Sequence, residues 1–285
     1  MMSESLLSAA PVLPDDVLLV ERRDDVLLVT LNRPRKGNAL SDELIDAIGD
    51  LAVSLHPGGR NGSAIAVVLT GSGSTTFSAG ADINGLVGLT ETTAIAKMRR
   101  GQSVFDALED APQVIIAAVN GIAFGGGLEL AMACDIRIAA PHARLGQPEI
   151  TLGNIPGWGG TQRLPPLIGE GRALELIVTG DPVDAARALE LGLINSIADD
   201  PVSAALALAD RIAARSAIAV SAAKQAVYAG VRHGITAGLE TEATLVGTCS
   251  VSPQQRAAVQ AFFDRKKAKP ATSSAEQPDA TTKES

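Results

Sequence analysis

Aromatic residues are scarce in this 285-residue chain, which holds one Trp, one Tyr and five Phe. That shortage argues against platforms on which nucleic-acid bases or sugar rings stack. Cysteine is almost absent as well. Cys134 and Cys249 stand far apart in apolar surroundings, which reads as two buried reduced thiols in a reducing, cytoplasmic setting rather than as a disulfide. Basic residues are outnumbered, 24 Lys and Arg against 32 Asp and Glu, so the net charge of −8 disfavours non-specific contact with nucleic acid. Any polyanionic ligand has to be met by local cations. The three histidines, His56, His142 and His233, are isolated, and no His or Cys pairs fall at ligand spacing, which excludes the usual metal sites.

Other signatures are missing too. No apolar run approaches the roughly 20 residues that span a bilayer. Residues 1–14 lack the basic start of a secretory signal and read as a flexible leader. There is no G-x-S-x-G nucleophile elbow and no P-loop lysine, and Thr76 stands where a dinucleotide fingerprint beginning at Gly71 needs its third glycine.

What is present is a strand, glycine loop and helix in repeated order. Val17–Val20 and Val26–Leu31 flank a charged turn and read as a hairpin. Ser41 caps a helix with apolar residues at 44, 45, 48, 51 and 55, ended by His56-Pro57-Gly58-Gly59. A strand over Ala64–Thr70 leads through a Gly/Ser loop to a helical region near Ala81-Asp82-Ile83. A strand over Val114–Val119 leads through Gly125-Gly126-Gly127 to a helix over Leu128–Ala133. Asp135–Ala139 is a further strand, and Leu145–Gly160 is rich in Gly and Pro and reads as loops with short strands.

Helical patterns follow over Thr161–Ile168, Arg172–Val178, Ala185–Leu191, Ala204–Ala214, Ala217–Ala229, Gly238–Thr248 and Pro253–Lys267. The division is thus an α/β core over 15–195, a helical region over 196–267 and a tail over 268–285. The tail carries no large apolar residue to offset its ordering entropy and reads as disordered.

Backbone N–H groups at a glycine-rich helix start favour an anion, or a carbonyl oxygen gaining charge, and two such loops together would make an oxyanion hole. Glycine at a strand-to-helix turn also serves plain packing. Two carboxylates lie close by in sequence: Glu129, two residues past the triple glycine, and Glu149, on a Gly146-Gln147-Pro148 turn. Beside an oxyanion hole they would form a general acid and base pair. In the bland alternative Glu129 only offsets a helix dipole and Glu149 is a solvated loop acid.

The motifs that carry most information are Leu31-Asn32-Arg33-Pro34 with Asn38-Ala39-Leu40, Phe77 to Ile83, Val119-Asn120-Gly121, and Gly125 to Leu130. To these are added Gly146-Gln147-Pro148-Glu149, Ile155-Pro156-Gly157 and Gly160 to Leu164. In these the chain resembles the crotonase, or enoyl-CoA hydratase/isomerase, family from about Val17 to Arg265. The resemblance implies an α/β spiral of ββα units with a helical C-terminal trimerisation region, assembled as a homotrimer or homohexamer.

It also implies site roles. The N–H groups of Ala81 and Gly126 hold a thioester carbonyl, and Glu129 and Glu149 are the acid/base pair. Ala79, Asp82 and Ile83 line the adenine and pantetheine path, Ala39 and Gly125 complete the coenzyme A site, and Gly157 helps position water. Arg35 and Lys36 are the first candidates for phosphate contacts, with Lys266 and Lys267 secondary. Trp158 departs from the family pattern, where smaller residues are common, and either narrows the acyl pocket or packs the core.

The activity implied is hydration of an enoyl-CoA thioester with no cofactor beyond the coenzyme A of the substrate, and with neither nucleic acid nor membrane as partner. An isomerase, hydrolase or decarboxylase on the same fold, or a binder without turnover, are the alternatives.

Overall fold

The computed structural model describes residues 16–268. The leader and the tail beyond residue 268 lie outside them, as do the side chains of Lys266 and Lys267.

Strands β1 (Leu18–Arg23) and β2 (Val26–Leu31) pair antiparallel across Asp24-Asp25, with Asp24 in the left-handed region that such two-residue turns require. Every later strand of this sheet runs parallel to its neighbour, and a parallel pair needs a crossover. The first crossover is α1 (Asp42–Leu55), whose Ser41 Oγ accepts the Leu44 N–H. Then come β3 (Ala66–Gly71), β4 (Thr76–Ser78) and α2 (Glu91–Glu109). The next round is β5 (Val114–Val119), β6 (Ile122–Phe124) and α3 (Gly126–Met132). After it follow β7 (Ile136–Ala139), β8 (Arg144–Gly146), α4 (Gly160–Ile168) and α5 (Glu170–Thr179).

The coil finishes with β9 (Val183–Asp184), α6 (Ala185–Leu191) and β10 (Ser196–Ile197). After the opening hairpin, the pairs β3-β4, β5-β6 and β7-β8 each lay one strand in a large sheet of order β1-β2-β3-β5-β7-β10 and one in a small sheet of order β4-β6-β8-β9, and each pair is followed by a helix. This is the expected spiral of ββα units.

The central strands of the large sheet, β3 and β5, are buried on both faces, which is why they read as unbroken apolar runs. Leu27, Val67, Leu69, Ile115 and Ala117 face the main core, while Val26, Val68, Ile116 and Ile138 face α7 (Pro201–Ala213) through Ala205 and Ala209. The sheet's last strand and its outer cover thus come from beyond residue 195. Three helices follow, α8 (Ala217–His233), α9 (Ile235–Ser250) and α10 (Pro253–Ala268). Asp135, a partly buried carboxylate, anchors α8 to the core by accepting from Lys224 Nζ and Tyr228 OH, both at 2.9 Å.

Three expectations need correction. The segment at Ala81-Asp82-Ile83 forms only a short 3-10 turn over Ile83–Leu86, and the long helix is α2, which periodicity did not reveal. It buries only Gly101, Phe105 and Leu108, so it shows no broad apolar stripe. Cys134 is buried as expected, but Cys249 is only half-buried; both are free. All three histidines are exposed, and His142 Nε2 lies 3.0 Å from the Ser74 carbonyl. Among the described residues no helix is long and apolar enough to cross a membrane.

Two buried asparagines tie the strand ends to one another. Asn38 Nδ2 donates to the carbonyls of Ser72 and Thr76, and its Oδ1 accepts from the Arg33 N–H and the Ser72 hydroxyl. Asn120 brackets Gly71, accepting from its N–H and donating to its carbonyl. These bonds fix the loop between β3 and β4, and Ser78 Oγ donates back to the Asn38 carbonyl. The conformation of residues 79–82 follows from that knot. Asn38→Ala strands buried peptide groups and should cost about 2–4 kcal/mol of stability in urea unfolding. A cost below about 0.5 kcal/mol would show that the knot is not what holds this loop.

Candidate active site

Leu40 donates its N–H to Gly80 and accepts from Asp82, so Ala81 between them keeps its own N–H turned to the opposite edge. On that edge lies the start of α3. Gly125 precedes it with φ +50° and donates to the Gly146 carbonyl, while the Gly126 N–H is among the first-turn donors that a helix leaves free. Among the described residues neither Ala81 nor Gly126 gives its N–H to an acceptor. The two are neighbours, since a Cβ built on Gly126 would lie 3.4 Å from the Ala81 nitrogen. Two convergent free donors at a helix start are what an oxyanion needs.

Glu129 lies in the first turn of α3 and is 2% exposed. Its Oε1 accepts the N–H groups of Trp158 and Gly160, each at 2.7 Å. Burial pushes its pKa up to about 7, with the Glu149 charge adding to the rise and the two N–H bonds opposing it. The loop supplying those donors is held from outside. Gln102 Nε2 donates to the Gly157 carbonyl at 2.9 Å, and Arg163 Nη1 to the Trp158 carbonyl at 3.1 Å.

Glu149 sits on the 3-10 turn Pro148–Leu152, half-buried, and its pKa is likewise raised by burial. The fully buried Gln147, with its amide nitrogen facing the carboxylate, donates to Oε1 at 3.0 Å and Oε2 at 3.1 Å. Glu149 also lies directly over Gly125, where a Cβ would come within 2.8 Å of its Oε1. Two carboxylates of raised pKa therefore share one site with the free donors, a setting in which a proton is held and passed on at neutral pH.

A cavity of about 460 Å³ joins these groups. Ala81, Gly126, Glu129, Glu149, Lys36, Ala39, Ala79, Asp82, Ile83, Gly125, Gly157 and Trp158, all expected from the sequence, line it. Arg35 is exposed and does not. Asp82 presents a wall rather than a free charge, because the Arg33 guanidinium at 3.0 Å occupies its carboxylate and lowers its pKa. Trp158, 3% exposed, both packs into the core and lines the cavity. Sequence reasoning missed Gln147, Gln102, Met98 and Leu86. Gln147 stood in a quoted motif without a role, and the other three belong to α2 or the turn before it, where the apolar signal is weak. Among the described residues no group of acidic, His or Cys side chains could hold a metal ion.

The family model described as Enoyl-CoA hydratase/isomerase matches residues 21–271. The short-chain-enoyl-CoA hydratase of Clostridium acetobutylicum is 38% identical over 252 residues, covering 88% of this chain and 95% of that protein. The crotonyl-CoA hydratase of Syntrophomonas wolfei is 36% identical over 253 residues, with 88% and 96% covered. The crystal structure of an enoyl-CoA hydratase from Bacillus anthracis superposes with a TM-score of 0.83 at 37% identity, covering 88% of this chain and 97% of that one.

Glu129 has a consequence for stability. Its folded pKa of about 7 exceeds the model-peptide value of 4.5, so the fold disfavours the ionised form. That penalty is absent at pH values well below 4.5 and complete above about 7. Glu129→Gln should therefore be more stable than the parent at pH 8, by about 1–3 kcal/mol in urea unfolding, and the gain should shrink as pH falls toward 4.5. A pH-independent difference would contradict the assignment.

Proposed function

The chain belongs to the enoyl-CoA hydratase/isomerase family, and on that premise we infer that it is an enoyl-CoA hydratase. It is a hydro-lyase that adds water across the α,β double bond of an enoyl-CoA thioester. The observation that carries this reading is the meeting of both glutamates with two free N–H donors in one cavity.

The mechanism follows from where charge develops. As water adds to the β-carbon, the thioester oxygen becomes enolate-like, and the N–H groups of Ala81 and Gly126 bind it most strongly at that moment. Glu129 takes the proton. Its Oε1 is committed to two N–H bonds, which favour the carboxylate, and its second oxygen is left for water. The hydroxyl bonds to the β-carbon, the π electrons pass to the α-carbon through the enolate, and Glu149 delivers a proton there. The proton gained by Glu129 returns to Glu149 through solvent, so the net change is one water added. Gln147 holds the Glu149 carboxyl in place, and Gly157 helps to position the water.

Coenzyme A enters as part of the substrate, and no further cofactor is required by this scheme. Lys36 at the cavity mouth is the first cation for its phosphates, with Arg35 beside it. The helices α8–α10 form the oligomerisation region. They expose the apolar side chains of Val227, Val231, Leu239, Val246, Phe262 and Phe263, and copies of the chain in a homotrimer or homohexamer would cover them. A cytoplasmic setting, in which both thiols stay reduced, and a role in fatty-acid metabolism belong to the same reading.

Purified protein should remove the conjugated-thioester absorbance of crotonyl-CoA and yield a product heavier by one water. Glu129→Gln and Glu149→Gln should each lower turnover by about 10²–10⁴-fold. Near-parental turnover in both variants would sink the two-glutamate scheme, and a product of unchanged mass would point to isomerisation. Light scattering should give a multiple of three 29.1 kDa subunits; a monomer would remove the assembly proposal.

A further inference from the structure

We propose that Trp158 and Gly101 form a matched pair that closes the acyl end of the cavity and restricts this enzyme to short enoyl chains. The proposal rests on the hydratase reading and adds the size of the substrate's acyl group.

The backbone of Trp158 cannot retreat. Its N–H is committed to Glu129 and its carbonyl to Arg163, so the ring must lie where this peptide aims it. It aims between two glycines. A Cβ on Gly101, in the middle of α2, would come within 2.3 Å of the indole Nε1, and a Cβ on Gly126 within 2.6 Å of its Cζ3. Glycine inside a helix is unfavourable relative to alanine, yet Gly101 is fully buried there, and the indole occupies the space its missing side chain leaves. Phe105, one turn further along α2, meets the ring edge to face at 5.8 Å.

Among the described residues the buried indole N–H has no hydrogen-bond partner. A phenylalanine or leucine would fill a purely structural gap without leaving a donor unpaired. What the larger ring adds is reach: its six-membered edge lies against Gly126, one of the two oxyanion donors, while the backbone N–H of the same residue is held by Glu129. The ring therefore stands directly beside the reacting carbons. Met98 seals the next position, with its Sδ within 2.2 Å of where a Cβ on Gly157 would sit. With the thioester oxygen on Ala81 and Gly126 and the β-carbon between the glutamates, a longer chain meets Trp158 and Met98 instead of open pocket. Each methylene left unburied forfeits roughly fourfold in affinity, and one that clashes forfeits more.

The test measures kcat/KM on four-carbon and ten-carbon 2-enoyl-CoA with the same enzyme sample, so that the ratio is independent of how much of each variant is folded. The parent should prefer the four-carbon substrate by at least about tenfold. Trp158→Leu and Trp158→Ala should each raise the ten-to-four ratio by at least about tenfold. The double variant Gly101→Leu, Trp158→Ala refills the same space from α2 and should return the ratio toward the parent value. Ratios within about twofold of the parent in both single variants, or a parent that takes the ten-carbon chain equally well, would overturn the proposal. A parent that hydrates neither substrate would instead overturn the hydratase reading itself, and this proposal with it.

Discussion

Taking one carboxylate out of water is the constraint around which this molecule is arranged. A buried Glu costs several kcal/mol unless its oxygens are met by donors, and Glu129 is met by two backbone N–H groups that local structure around it does not supply. They come from the loop 157–160, which must therefore be bent and held. Gly159 adopts φ +109° to turn the chain, Gln102 and Arg163 grip the two carbonyls, and Arg163 is itself tied to Asp106 and Glu109 on α2. Glu109 in turn pairs with Arg232 on α8. The acid at the centre is thus fixed by contacts that run outward to the C-terminal helices.

The same constraint explains the chemistry. A carboxyl held near neutrality by burial exchanges a proton without a large uphill step, and its partner Glu149, raised by milder burial, is held in place by the Gln147 amide. In the proposed hydration, the free N–H groups of Ala81 and Gly126 would add a fixed field that costs no reorganisation when the thioester oxygen gains charge. Among the described residues they stay free because the coil stacks successive ββα turns: Leu40, bridged to Ala81, consumes the groups flanking it, and the helix start leaves Gly126 without an acceptor. Donor, acid and base come from three consecutive turns of one spiral, so the fold repeat is also the repeat of the site.

Much of this was legible in the residues, for local reasons. Strands buried on both faces read as apolar runs, α1 announces itself by its stripe and its Ser41 cap, and the triple glycine before Glu129 marks a backbone exposed at a helix start. Both glutamates, Ala81 and Gly126 stand in the motifs that carry the family resemblance, and all four line one cavity. The longest early helix, α2, was not, because it buries few of its residues and carries Gly101 at its centre. With it went Gln102, Met98 and the space that receives Trp158. Gln147 was visible as a letter but not as a donor, since the direction of a buried amide depends on what faces it.

The sequence alone determined the order of strands, glycine loops and helices and the absence of the usual metal-ligand spacings, because each follows from periodicity, caps or residue spacing within a short window; the candidate acid pair came from the resemblance of whole motifs to a family, not from local pattern. Only the tertiary structure decided that Trp158 and Gly160 cap Glu129, that Asp82 spends its charge on Arg33, and that Trp158 fills the gap at Gly101. Those outcomes depend on groups 29 to 57 residues apart meeting in the interior or at the cavity wall. Burial sets their energies there, and no local pattern encodes it.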